Sequence, residues 1–342
     1  MNDRYLQMKS LLEKGQFFKL ICGAGNENAT EVYRLALIYT LAGAKGFDVS
    51  ASPEIVKSCV RGIDAAYIAA EKLQVTIEDR PFITVSVGMP GDHHVRKASI
   101  IDDCVECTKC IPVCPTDAIP DTYEIIQDLC IGCGNCEAAC PPKVAAVRYT
   151  HNGKQLRELL PECIAAGAEN IELHAAVPGD EAIMEEWQVV SDSQPSNYVS
   201  MCLDRYHLTN HHLVERIRMA REIAGDRLIV QADGVPMSGG SDDLNTTLQA
   251  VAIADVIQKD LIEKDKKFKN LPILLSGGTN SFTGELANGA NIKFSGISMG
   301  THARKIVKEF IDHQNLETDL DVLVSSVKIA QELVNRSVRY SV

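Results

Sequence analysis

Eight cysteines fall into two runs with the same spacing. Residues 104–114 read Cys-Val-Glu-Cys-Thr-Lys-Cys-Ile-Pro-Val-Cys, followed by Pro115. Residues 130–140 read Cys-Ile-Gly-Cys-Gly-Asn-Cys-Glu-Ala-Ala-Cys, followed by Pro141. Both are C-x2-C-x2-C-x3-C-P. The tight x2 spacing lets three thiolates converge on one face of a cluster, while the fourth cysteine ligates the other cluster. The spacing therefore predicts two [4Fe–4S] clusters. One is held by Cys104, Cys107, Cys110 and Cys140, and the second by Cys130, Cys133, Cys136 and Cys114. Thiolates suit both iron–sulfur and zinc, so the competing reading is a pair of structural zinc sites. Two complete copies with the trailing proline argue against it. A radical-SAM site needs C-x3-C-x2-C, and neither x3 gap continues that way, because Asp117 and Lys143 stand at the next required positions.

This part resembles the bacterial two-cluster ferredoxins, which implies one-electron transfer. Gly132 and Gly134 are expected to let backbone N–H groups approach the sulfurs, which raises the reduction potential. The segment 99–150 carries eight acidic and three basic side chains. Its negative charge disfavours electron gain and attracts a basic redox partner.

The surrounding elements must position these cysteines. The chain has 342 residues, 45% hydrophobic and 23% charged, an ordinary globular composition that excludes wholesale disorder. The formal charge of −12, with no basic cluster beyond the interrupted run Lys264–Lys269, argues against nucleic-acid binding. That run reads as a solvated helix end. No apolar stretch approaches the roughly 20 residues that span a bilayer. The segment Met1–Gln16 is too charged for a signal peptide, so a cytoplasmic location is expected. Eight of the twelve cysteines lie between Cys104 and Cys140, which favours metal ligation over disulfides.

Short apolar strands alternate with amphipathic helices along the chain. The expected strands are Phe17–Cys22, Gly46–Ser50, Phe82–Val87, Asn170–Ala175, Tyr198–Asp204, Arg227–Asp233, Pro272–Ser276 and Lys293–Ser298. Helices are expected over Asn28–Ala42, Glu54–Lys72, Lys154–Ala166, Leu213–Ala224 and Leu244–Glu263. In Leu213–Ala224, residues Leu213, Ile217, Ala220 and Ala224 share one face. Strand starts recur at intervals of about 20–45 residues, except for one gap of 88 between Phe82 and Asn170. Setting aside the cysteine-rich segment restores the rhythm.

Eight such units predict an α/β fold of the (β/α)8 barrel type, with an inserted ferredoxin-like domain and a C-terminal helix. A doubly wound open sheet is the alternative. The expected division is 1–96 for the first three barrel strands, 97–150 for the insert, 151–314 for the rest of the barrel and 315–342 for the C-terminal helix. That helix is expected over Thr318–Val338, with Thr318 as N-cap and Leu320, Leu323, Val324 and Val327 at helical spacing. It packs on the barrel or on a partner.

The insert leaves after the third strand, near Gly88–Pro90, and returns before Lys154–Ala166. Strand-to-helix loops lie on the C-terminal face of a barrel, where ligands bind. The clusters are therefore expected over the barrel mouth.

The seventh strand ends in Ser276, Gly277, Gly278, Thr279 and Asn280. The eighth is followed by Gly300 and a helix Thr301–Lys308. Such loops form the usual phosphate site of these barrels, so Gly277, Gly278, Thr279, Asn280 and Gly300 are candidate binders of a phosphate-bearing ligand, flavin mononucleotide among them. The competing reading is that these glycines only make tight turns. Asp48, Glu172, His174, Asp204, Gln231 and Asp233 lie in or at the ends of strands. Each alone reads as structural, although Glu172 and His174 share one side of a strand and can act as a pair. Asp233-Gly234 and Pro236–Ser241 suggest a loop at the mouth. His93-His94 read as linker and His211-His212 as a helix surface. Among the remaining cysteines, Cys22 is placed where a thiol can face a ligand, whereas Cys59, Cys163 and Cys202 read as small buried hydrophobes.

Several stretches occur together and in order: Phe18 to Ala24 (FKLICGA), the eight-cysteine insert, Gln231 to Gly239 (QADGVPMSG), Ser276 to Asn280 (SGGTN) and Gly296–Arg304. Over most of the chain this resembles the cyanobacterial light-dependent period modulator family. The resemblance implies a redox-responsive iron–sulfur protein that tunes the circadian clock to light through cellular redox state and quinones. It places no catalytic residues.

Two functions follow as expectations. In one, the chain is a redox sensor or electron carrier with a redox protein or quinone as partner. In the other, it is an oxidoreductase whose clusters feed electrons to a flavin or phosphate-bearing ligand at the barrel mouth.

Overall fold

The computed structural model describes residues 3–338 apart from 24, 90–95, 131, 152–155, 178, 206–207 and 235–242. Its strands are β1 (Phe17–Ile21), β2 (Gly46–Ser50), β3 (Phe82–Gly88), β4 (Arg96–Ile100), β5 (Val147–His151), β6 (Asn170–His174), β7 (Val199–Leu203), β8 (Leu228–Asp233), β9 (Ile273–Ser276) and β10 (Gly296–Met299). Its helices are α1 (Asp3–Glu13), α2 (Ala29–Leu41), α3 (Pro53–Leu73), α4 (Asn135–Ala139), α5 (Leu156–Ala166) and α6 (Asp180–Ser193). They continue with α7 (Asn210–Ala224), α8 (Asp243–Ile257), α9 (Thr283–Gly289), α10 (Thr301–Ile306), α11 (Lys308–Ile311) and α12 (Leu320–Ser337).

Eight strands close a parallel barrel in the order β1-β10-β9-β8-β7-β6-β3-β2. Closure excludes the open doubly wound sheet. Each barrel strand overlaps one expected from the apolar runs, because a strand buried on both faces shows as a short continuous hydrophobic stretch. The jump in pairing from β3 to β6 is where the cysteine-rich segment is inserted. The α7 face of Leu213, Ile217, Ala220 and Ala224 is buried as expected.

Helices α1, α4, α6 and α9 and strands β4 and β5 are absent from the expected elements, and two of these features shape the barrel end and the insert. The first is α1, which supplies Tyr5, Met8, Leu11 and Leu12 to a separate core cluster with Phe17, Phe82, Tyr198, Ile229 and Leu274. Phe17, Phe82 and Tyr198 stand at the strand starts, so α1 plugs the N-terminal end of the barrel. Tyr5 stacks on Tyr198 with ring centroids 4.7 Å apart. Arg4 lies over the Phe82 ring and pairs with Glu169 at 2.6 Å. The second is the antiparallel pair β4–β5, from Arg96↔His151 to Ile100↔Val147, which forms the base of the insert.

The C-terminal helix α12 packs on α2, α9, α10 and α11. Its N-cap differs from the expected one. Asp319, not Thr318, accepts from the amides of Asp321 and Val322, since its carboxylate reaches both orphan donors at the helix start. The buried face is Leu323, Ser326, Ala330, Leu333, Val334 and Ser337, while Leu320 and Val324 are exposed. The expected helix Thr301–Lys308 divides at Val307 into α10 and α11.

Candidate iron–sulfur sites and the barrel interior

The eight motif cysteines line two small cavities, four to each. Cys104, Cys107, Cys110 and Cys140 line one, with Tyr123, Val144 and Val147. Cys130, Cys133, Cys136 and Cys114 line the other, with Ala118, Ile119 and Ile125. Each cavity thus takes three cysteines from one motif and the last from the other. The motif requires this crossing, because the x3 step and the trailing proline carry the fourth cysteine away from its own three.

Backbone amides point at the sulfurs. Ala98 N–H donates to Cys130 Sγ at 3.3 Å, Glu106 to Cys104 at 3.4 Å, Ala118 to Cys114 at 3.2 Å and Ala146 to Cys140 at 3.4 Å. Such donors stabilise negative charge on sulfur. Burial pushes the Cys136 thiol up to about 11, with Cys133 adding to the shift, and burial also raises Cys110 and Cys133. A bound cation reverses that preference by holding the sulfurs as thiolates. Gly132 and Gly134 take φ of 64° and 89°. The Gly132 carbonyl accepts from Arg96 Nε at 2.9 Å, and the Arg96 guanidinium lies 4.0 Å from the Tyr149 ring centroid.

The insert sits against the loop after β1, on the C-terminal face of the barrel. Lys97 Nζ donates to the carbonyls of Gln127 and Cys130 in the insert and to Gly25 in that loop. The Glu27 amide donates to Asp128 O at 3.2 Å. Pro90 and His93-His94, on the outgoing connection, lie outside the described residues, as does Lys154 on the return.

A second polar centre fills the barrel. Lys19 on β1 is 2% exposed and donates to Asp48 at 2.6 Å and to Glu172 at 2.5 Å. Ser86 donates to Asp48 and Ser200 to Glu172. Burial works against the ammonium, but the two carboxylates outweigh it and hold Lys19 above its ordinary range. Burial and the Glu172 charge push Asp48 up to about 6, against the pull of Lys19. For Glu172, burial is outweighed by Lys19 and His174, which hold it well below the usual carboxylate range. The sequence marks Asp48 and Glu172 as polar groups in strands but not Lys19, whose signal is a lysine within the apolar strand Phe17–Ile21.

Nearer the mouth, Glu172 and His174 do pair, at 3.3 Å. Cys202 stands opposite His174 in the β6–β7 register and donates to Asp233 at 3.1 Å. Gln231 lies deeper, bonded to Ser200 and Ser298. Cys22 does not face this space. It is fully buried in the main apolar core, which runs between the strands and the outer helices. The thiol inside the barrel is that of Cys202, because residues alternate sides along a strand.

Gly277 and Gly278 take φ of 65° and 62°. A Cβ on Gly277 would collide with Asp233 Oδ1. The Gly278 carbonyl accepts from Thr246 and Thr247, and Thr279 and Asn280 are buried. Gly300 precedes α10 at the end of the neighbouring strand β10. Residues Pro236–Ser241 lie outside the described residues. His211 is exposed, whereas His212 is half-buried against Asp180 at 2.7 Å.

The family model for the Light dependent period A C-terminal domain matches residues 163–336, and that for the LdpA Fe-S cluster-binding domain matches residues 102–150. Light dependent period A of Synechococcus elongatus is 33% identical over 343 residues, covering 94% of this chain and 91% of that protein. A ferredoxin of Alicyclobacillus acidocaldarius is 54% identical over 35 residues, 9% of this chain and 45% of that one. Among solved structures, the tryptophan synthase alpha chain of Legionella pneumophila superposes with a TM-score of 0.46 at 12% identity, covering 98% of this chain and 97% of that one. The matches to the two domain models and to a relative over nearly its whole length place this chain in the Light dependent period A family.

Proposed function

We propose that this chain is an iron–sulfur redox protein that holds two [4Fe–4S] clusters, exchanges single electrons through them and passes the resulting state to a partner. The observation that carries the reading is the sorting of eight cysteines, four to a cavity, with each cavity lined by three from one motif and one from the other. When bound, such clusters exchange one electron each without rearranging bonds. Cys104, Cys107, Cys110 and Cys140 hold one, and Cys130, Cys133, Cys136 and Cys114 hold the other. The amides of Ala98, Glu106, Ala118 and Ala146 tune the sulfurs. The acidic surface of the insert draws a redox protein with a basic face, and a quinone is the alternative partner. The name of the Synechococcus relative extends the reading to light-dependent timing, with redox state as the signal. Supporting this is the seating of the insert on the barrel through Lys97, which ties the cysteine region to the rest of the chain.

The test is iron and sulfide analysis of anaerobically purified protein, joined to a redox titration followed by electron paramagnetic resonance. About eight irons per chain and two one-electron centres are expected. Zinc in the cysteine cavities, or centres that no physiological reductant reduces, overturns the reading.

The second reading places flavin mononucleotide or another phosphate-bearing ligand at Gly277, Gly278, Thr279, Asn280 and Gly300. Their position in adjacent loops at the C-terminal end of the barrel supports it. Flavin absorbance that survives desalting favours this oxidoreductase reading, and cluster absorbance alone favours the carrier or sensor.

A further inference from the structure

We propose that the barrel interior holds a divalent transition-metal ion of the zinc type, ligated by Glu172, His174, Cys202 and Asp233 and separate from the cysteine-rich insert. Ligand atoms of Glu172, His174 and Cys202 all lie within 4.8 Å of one another, and all three residues are buried. His174 Nε2 is 3.3 Å from Glu172 Oε1, and Cys202 Sγ is 3.1 Å from Asp233 Oδ2. Bond lengths of about 2.0–2.3 Å around a tetrahedral ion separate its ligand atoms by roughly 3.3–3.8 Å, so small side-chain movements bring Glu172, His174 and Cys202 onto one ion, with Asp233, which lies outside that group and touches Cys202, as the more distant fourth ligand.

The fold places these donors together. His174 and Cys202 are paired in register on β6 and β7, and Asp233 ends the next strand, β8. Glu172 lies two residues before His174, on the same side of β6.

The surrounding groups prepare the donors. Lys19 and Ser200 both occupy Glu172 Oε2, which turns Oε1 toward His174. Such an outer hydrogen bond is what fixes a ligating carboxylate. Asp233 is 8% exposed, and its Oδ1 has no hydrogen-bond partner among the described residues. Charge points the same way. Lys19 bonds the two buried carboxylates Asp48 and Glu172, Asp233 is buried beside Cys202, and a buried excess of carboxylate calls for a counter-cation. One thiolate, one imidazole and two carboxylates form a borderline-soft set that suits zinc better than magnesium or calcium. On binding, the Cys202 thiol releases its proton to solvent and its sulfur bonds the ion.

The test uses intact, anaerobically purified protein with its iron complement measured. It is incubated with one equivalent of zinc chloride, desalted, and studied by metal analysis and zinc K-edge X-ray absorption. One retained zinc with a shell of one sulfur and three nitrogen or oxygen ligands is expected. In Cys202→Ala, retained zinc should fall at least about tenfold while iron content and cluster absorbance stay unchanged. Absence of retained zinc in the unmodified protein, a shell of sulfur alone, or undiminished zinc in Cys202→Ala overturns the proposal. The absorption measurement decides the matter without any variant. Iron content, scored separately, tests the cluster reading.

Discussion

Lys97 Nζ lies 2.8 Å from the carbonyl oxygen of Cys130 and 2.7 Å from that of Gly25. One ammonium therefore joins a cysteine of the insert to the loop after the first barrel strand. Its donor hydrogens are placed on three carbonyls, which a smaller side chain cannot bridge. Lys97→Ala should loosen this contact by about 1–3 kcal/mol, as expected for hydrogen bonds to a charged group. Amide hydrogen exchange should rise at Glu27 and around Gln127–Cys130 with the barrel strands unchanged. Unchanged protection at those positions would show that the insert is held by other contacts.

The cysteine variants should group by cavity and not by motif. Cys114→Ser should give the same spectroscopic lesion as Cys133→Ser, and Cys140→Ser the same as Cys107→Ser. Each loses or converts one centre, with a loss of up to about four irons per chain. Electron paramagnetic resonance of the four reduced variants checks this. If Cys114→Ser matched Cys107→Ser, the crossing would be wrong.

Lys19 is the sole basic group bonded to both Asp48 and Glu172 among the described residues. Lys19→Met leaves two buried carboxylates without it, and removing one partner of a buried ion pair costs about 3–5 kcal/mol. Adding Asp48→Asn and Glu172→Gln to the same chain should recover much of that loss. Denaturant unfolding of the single and triple variants measures both effects.

Asp48 titrates near 6 in the folded chain, above the ordinary value of 3.8. Its contribution to stability is therefore fully present below about 4 and is lost as pH rises through about 6. Asp48→Asn has no such proton to lose. Relative to that variant, the unmodified protein should lose on the order of 3 kcal/mol between pH 4 and 7. Glu172, held low, acts in the opposite sense: its stabilisation is lost only as pH falls through its depressed pKa. Unfolding free energies of both proteins across this range test the slope.

Asp319 caps α12 through the amides of Asp321 and Val322, at 3.0 and 3.4 Å. Asp319→Ala should cost about 0.5–2 kcal/mol, whereas Thr318→Ala should be nearly neutral. Thermal unfolding distinguishes the two.

Much of this architecture was written in local pattern. Cysteine spacing anticipated which four cysteines line each cavity, because a C-x2-C-x2-C-x3-C-P run constrains its sulfurs whatever surrounds it. Apolar runs marked the eight barrel strands, because strands buried on both faces have little choice of composition. Tertiary structure decided the rest. No local signal shows that α1 plugs the barrel, since its buried face of Tyr5, Met8, Leu11 and Leu12 gains meaning only against Phe17, Phe82 and Tyr198. Nor does local pattern show which thiol faces inward. Cys22 and Cys202 both fall at or near the ends of strands, and strand orientation and barrel closure put the first among outer-core side chains and the second beside Asp233. The polar centre of Lys19, Asp48, Glu172, His174, Cys202 and Asp233 draws its residues from five strands spread over more than two hundred residues. Charges so far apart in the chain compensate one another only once the barrel closes.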